Sequence, residues 1–247
     1  MASTSMPSAQ SPQDVSALGR IFGALFSPKA TFESVARRPT WLLPLLLLSL
    51  LALAVVGTLG QRVGWQRFFA QQLANSSQFQ QLSPEQQQKA LENQARIGPT
   101  LLYAGAVASP WITTVVIAAL LLAVMNLLYG SEVQFKTSFG IVAHAWMPRV
   151  IASLLAILIL FLKDPSTVDF QNLVASNAGA FLSSDAPKWQ TSLLGSLDLF
   201  SFWTISLLAV GYRTASPKKI SFGKAFAAIL ALWALYAAAR AGITAAF

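Results

Sequence analysis

Apolar positions in this chain come in long unbroken runs, and the runs are separated by polar stretches. The clearest is "WLLPLLLLSLLALAVVGTLG" at 41–60, with no charged residue between Arg38 and Arg62. About 20 apolar residues at 1.5 Å rise cross the ~30 Å hydrocarbon core of a bilayer. Backbone amides find no water there, so such a run is expected to be helical. The pattern predicts five spans, at about 41–60, 108–129, 139–162, 194–212 and 224–245. From Ile97 to Ser131 no residue is charged, too long for one straight crossing, and Pro110 is expected to divide it. Ser83-Pro84-Glu85 reads as a helix start, predicting a separate extramembrane helix over about 84–96. The fold class is all-α, a polytopic transmembrane bundle of five helices.

Ahead of the first run the pattern changes to helical amphipathicity. Val15, Leu18, Phe22, Leu25 and Phe26 recur at helical spacing, and Arg20 falls off that stripe. Ser27 is a fair N-cap and Pro28 a fair first residue for a second short helix, with Phe32 and Val35 turned inward and Arg37-Arg38-Pro39 ending it. Residues 14–38 are therefore expected to be interfacial amphipathic helices. The alternative is a pair of ordinary helices packed on the bundle. Residues 1–13, Ser/Pro/Gln-rich, are expected to be a disordered tail, with no cleaved signal peptide. The division is a tail at 1–13, interfacial helices at 14–38 and a transmembrane domain at 39–247.

Composition agrees with the pattern. Hydrophobic residues make up 55% of the 247 and charged residues 11%, against about 25% charged in soluble domains. The net charge of +8 would suggest nucleic acid on a soluble chain. Here the cations cluster at the ends of apolar runs, so they are assigned to orientation and headgroup contact. Arg213, Lys218, Lys219 and Lys224 crowd one short loop, and Arg37 and Arg38 share its side. These six are the candidate lipid-headgroup residues, and a purely topological role is the alternative. They place the N-terminus inside and, after five spans, the C-terminus outside. Expected partners are anionic membrane lipids and other membrane proteins, with no nucleic acid.

A few polar groups interrupt the runs. Asp198, Arg149 and Arg240 are the costly ones, since an intramembrane charge costs about 2.5–3.5 kcal/mol on insertion scales. Counting 1.5 Å per residue from the nearest loop cations puts Asp198 and Arg240 at about one level, so they are expected to pair across spans 4 and 5. Arg149 is expected near Asn126, with His144 slightly lower. For the arginines the alternative is snorkelling.

Enzyme chemistry finds little to stand on. Cysteine is absent and His144 is the one histidine, without a His-Glu-x-x-His or Gly-x-Ser-Gly pattern. "GYRTASPKK" at 211–219 lacks the glycine spacing of a phosphate cradle. No catalytic residue, metal or cofactor is assigned. "SFGIVAHAW" (138–146) and "AFAAILALW" (225–233) share a Phe-to-Trp spacing, which suits either related hairpins or chance.

The stretch "LDLFSFWTISLLAVGYRTASPKKISFGKAFAAILAL" at 197–232 resembles the bacterial branch of the Yip1-domain family, in Asp198, Phe200, Trp203 and Gly211. "LFSPKATFESVARRPTWLLPLLLL" (25–48) looks like the family's entry segment, and "AHAWMPRVIASLL" (143–155) like its third-span entry, with Pro148. The resemblance implies five spans, no enzyme activity and a membrane-organising or adaptor role in a bacterial inner membrane. In eukaryotes it implies small GTPases and vesicle coat components as partners, but the long GTPase-binding cytoplasmic domain is missing here. The rival is a small transporter or lipid-handling channel built on Asp198, Arg240, Arg149 and Asn126.

Overall fold

The computed structural model describes residues 16–74, 76–170, 172–183 and 186–246. The expected tail at 1–13 and the start of the amphipathic stripe at Val15 lie outside the described residues. Eleven α-helices are described: α1 (Ala17–Phe26), α2 (Pro28–Arg37), α3 (Leu42–Arg62), α4 (Trp65–Ala74), α5 (Ser77–Gln80), α6 (Pro84–Tyr129), α7 (Phe135–Ala145), α8 (Pro148–Leu162), α9 (Lys188–Ser196), α10 (Leu199–Ala215) and α11 (Phe222–Ala246). Two 3-10 turns, Pro165–Thr167 and Ala178–Phe181, punctuate the long α8–α9 connection.

Four helical stretches are long and apolar enough to cross a membrane: α3, α6, the α7–α8 pair and α11. The protein is thus an all-helical, multi-pass membrane protein. The helix α10 is shorter, at 17 residues.

Helix α6 departs from the sequence expectation. It runs 46 residues without a break and carries Pro99 and Pro110 inside it. The expected separate helix at 84–96 is its first third, and Pro110 does not divide it. Its start is a capping box: the Ser83 hydroxyl accepts from Gln86 N–H while the Gln86 side chain accepts from Ser83 N–H. At the other end Gly130 takes the left-handed conformation at φ 58°, which stops the helix and turns the chain into α7.

Helix α7 is the axis of the bundle. Every residue from Ser138 to Ala145 is buried, against α2, α6 and α10. Its core partners include Phe32, Leu45, Met125, Leu208 and Tyr212. The break between α7 and α8 falls at Trp146-Met147, just before Pro148, whose ring cannot continue the hydrogen-bond ladder. α10 approaches α7 closely at Gly211, where a Cβ would lie 2.4 Å from Ile141 Cγ2 and 3.1 Å from the Phe32 ring.

Two ends can be told apart. The near end holds α1, α2 and the turns 130–134 and 216–221. There the Ser216 hydroxyl donates to Ser131 O and the Tyr129 hydroxyl to Lys224 O. The far end has a second, smaller core of Leu59, Val63, Phe68, Phe69, Leu160 and Val168. It joins α4, the start of α6 and the 163–173 connection to the ends of α3 and α8. The glutamine-rich segment after α3 is tied to the far end where Gln71 Nε2 donates to Val168 O, and is held within itself where Gln87 Nε2 donates to Phe79 O and Leu82 O.

Candidate functional site

The two N-terminal helices present different faces to the protein. On α1 the buried face is Arg20, Ile21 and Ala24. Leu18, Phe22 and Phe26 point away from the protein and are 65%, 64% and 77% exposed. Arg20, which falls off the apolar stripe as expected, turns inward, and its guanidinium donates to Arg38 O at 3.0 Å and to Thr40 Oγ1 at 2.8 Å. It thereby holds α1 to the α2–α3 turn. Helix α2 packs on α10 and α7 and buries Thr31, Phe32, Ser34 and Val35. Ser27 precedes Pro28 as expected but makes no side-chain cap.

The six candidate headgroup residues all lie at the near end. Arg37, Arg38, Arg213, Lys218, Lys219 and Lys224 are exposed there, beside Lys29 and Lys136. Glu33 and Glu132 are the acidic residues on the same elements. Lys224 Nζ also lies 6.0 Å from the Tyr129 ring centroid, a weak cation–π arrangement.

The intramembrane polar residues separate into different roles. Asp198 is the N-cap of α10. One carboxylate oxygen accepts from the Ser201 N–H at 2.9 Å and the Ser201 hydroxyl at 3.1 Å, and the other accepts from the Ser176 hydroxyl. Asn177 and Asp198 form an antiparallel bridge, with Leu199 N–H donating to Ser176 O and Ala178 N–H to Leu197 O. The expected Asp198–Arg240 pair is not formed. Arg240 is exposed and makes no side-chain hydrogen bond or ion pair among the described residues. The reason is that span 4 is not one straight helix: it breaks at Leu197-Asp198, and the cap consumes the carboxylate.

Asn126 does not meet Arg149 either. Its amide organises the near-end turn, donating to Val133 O and accepting from Val133 N–H and the Ser131 hydroxyl. Arg149 lies over the indole of Trp146, 4.2 Å from the ring centroid, and interacts electrostatically with Asp198 and Tyr236. His144 is 1% exposed and its Nδ1 meets Gly140 O at 2.9 Å, an intrahelical contact one turn back. No group of three or more metal-ligating side chains is gathered among the described residues.

Sequence reasoning missed a buried polar node in the near half. The Ser138 hydroxyl reaches both Ala118 O and the Tyr212 hydroxyl, joining α6, α7 and α10. A second node joins Trp111 Nε1 to the Ser49 hydroxyl, which donates to Val107 O. Only the single hydroxyls inside apolar runs signalled these positions.

No curated protein and no solved structure matches the chain. One family model does, described as the Yip1 domain, and its match runs over residues 22–241, from the exposed ridge of α1 to the last turns of α11. With nearly the whole helical bundle inside that match, the chain belongs to the Yip1-domain family.

Proposed function

We propose that this protein is a non-enzymatic adaptor or organiser of a bacterial inner membrane, docked to the cytoplasmic leaflet through its near end. The chain crosses five times, with α9 and α10 as the fourth crossing. The reading rests on continuity: Val168 belongs to the far-end core, Ser216 is tied to the near-end turn, and only α9–α10 returns the chain between them. The near end then faces the cytoplasm, because the cations at 213–224 are dense and short-looped. Arg37, Arg38, Arg213, Lys218, Lys219 and Lys224 contact anionic headgroups there, and α1 lies in the interface. Protein partners act through this same surface.

The observation that carries this is the direction of α1, whose buried face is pinned by Arg20 while Leu18, Phe22 and Phe26 project outward beside the basic rim. A helix with that geometry buries its apolar ridge at the headgroup boundary. The chain has no cysteine, so Phe22→Cys is a unique labelling site. A nitroxide at that position in protein reconstituted into vesicles with anionic lipid should be accessible to oxygen and shielded from a water-soluble nickel reagent. Equal access to the nickel reagent would overturn interfacial docking.

A further inference from the structure

Residues 170–184, "FQNLVASNAGAFLSS", carry no charge, although they belong to the connection between α8 and α9. Their middle, from Ala178 to Leu182, is apolar. The connection begins at the far end, where Val168 joins the far-end core and Gln71 Nε2 donates to Val168 O. From there it runs back into the bundle. Leu199 N–H donates to Ser176 O and Ala178 N–H to Leu197 O, so the segment pairs with the break between α9 and α10. At Gly179 a Cβ would lie 3.0 Å from Gly195 N, which seats the 3-10 turn Ala178–Phe181 against the last turn of α9.

Helix rise gives the depth of that break. Gly211 meets Ile141 across the α10–α7 contact, so the two helices are level there. Leu199 lies 12 residues from Gly211 toward the far end, about 18 Å. Leu160 lies 19 residues from Ile141 in the same direction, about 29 Å. Arg62 donates to Leu160 O and Phe161 O, and Lys163 follows, so Leu160 marks the far rim of the apolar runs. The break is therefore about 11 Å below that rim, and Ser176 to Ala178 are there with it. Non-helical backbone at such a depth finds no water and needs partners within the protein. The α9–α10 break supplies two of them through Leu197 O and Leu199 N–H. The turn supplies more, with Ala180 N–H donating to Asn177 O and Leu182 N–H to Gly179 O. Phe181 is three residues past Ala178, a rise of about 6 Å at most in a 3-10 turn, so it stays below the rim. Its side chain is 90% exposed.

We propose that residues 170–184 are a re-entrant segment of the far leaflet. They enter the leaflet, turn at the α9–α10 break and return to the same side, with the Phe181 ring set among lipid acyl chains. A bare phenyl ring on a charge-free segment suits hydrocarbon and not water. The segment adds no crossing, and its placement does not depend on which side of the membrane the far end faces. The contact is separate from the near-end surface and lies beyond the reading proposed above.

The test uses the full-length protein, which has no cysteine, with a nitroxide at Phe181→Cys, Leu154→Cys or Lys163→Cys. Each is reconstituted into vesicles of phosphatidylcholine and phosphatidylglycerol. Leu154, 53% exposed on α8 and about 9 Å below Leu160, is the reference for lipid, and exposed Lys163 is the reference for water. At 90% exposure Phe181 gives up little packing on substitution. Its label should match the Leu154 label in oxygen access and show the same loss of access to a water-soluble nickel reagent. Nickel access nearer to that of the Lys163 label would overturn the proposal. Low access to both reagents, as at a site covered by protein, would overturn it too.

Discussion

The indole Nε1 of Trp146 donates to the Thr114 hydroxyl at 3.1 Å, and that hydroxyl donates onward to Pro110 O at 2.6 Å. This relay ties the α7–α8 break to the proline turn of α6. Thr114 is fully buried. Thr114→Val should therefore leave an indole N–H without an acceptor and destabilise the protein by about 1–3 kcal/mol. Trp146→Phe in the same chain should cost less than the two singles summed. Unfolding of the purified protein in detergent measures both, and strict additivity would count against the relay.

Gly211 is a packing requirement. With Ile141 Cγ2 at 2.4 Å from the place of its missing Cβ, Gly211→Ala overfills the α10–α7 contact. The expected cost is about 1–3 kcal/mol, as for other overpacked cores. Ile141→Ala removes the clashing carbon, so the double variant should be more stable than additivity predicts. The same melting assay decides it.

Asp198 acts as a cap. Asp198→Asn retains a good N-cap acceptor and should be mild, whereas Asp198→Ala should cost about 0.5–2 kcal/mol. Because Arg240 does not pair with Asp198, Asp198→Ala and Arg240→Gln should be additive. A coupling energy above about 0.5 kcal/mol between them would show an interaction the fold does not contain.

Asp164 supplies a pH response outside the membrane. Hydrogen bonds from the Ser166 hydroxyl and N–H hold its carboxyl below the usual range. A depressed folded value contributes stability that is present above the unfolded pKa and is lost as pH falls through the folded one. Hydrogen exchange at the 165–167 turn should accordingly quicken as pH drops below about 4, after correction for intrinsic rates. Asp164→Asn should flatten that dependence.

Sidedness follows from the two ends. In intact cells a membrane-impermeant maleimide should label Gln88→Cys at the far end and spare Lys136→Cys at the near end. The reverse pattern would invert the topology.

Most of the bundle was written in the apolar runs, because a run too long for a soluble core has few structural answers. The breaks were not. Arg149 drew attention as a charge, yet the helix interruption falls at Trp146-Met147, where tertiary packing of α7 and the proline ring decide it. Depth counted from loop cations misplaced Asp198 because it assumed a straight span 4, and a polar cap can end a helix inside one apolar run. Arg20 illustrates the same limit. Periodicity identified the two faces of α1 but could not say which faces protein, and in a membrane the apolar face is free to turn outward.

Helix α6 has a mechanical consequence. Its 46 residues amount to about 69 Å of continuous helix, more than twice the ~30 Å hydrocarbon core. One end is tied to the near-end turn through Asn126, and the other packs on the far-end core through Leu91, Ala95 and Leu102. A rod of that length is a lever: a tilt of about ten degrees about one end would displace the other by about 12 Å. The two ends of the bundle are thus joined by one continuous helix, in which Pro99 and Pro110 each lack a backbone donor.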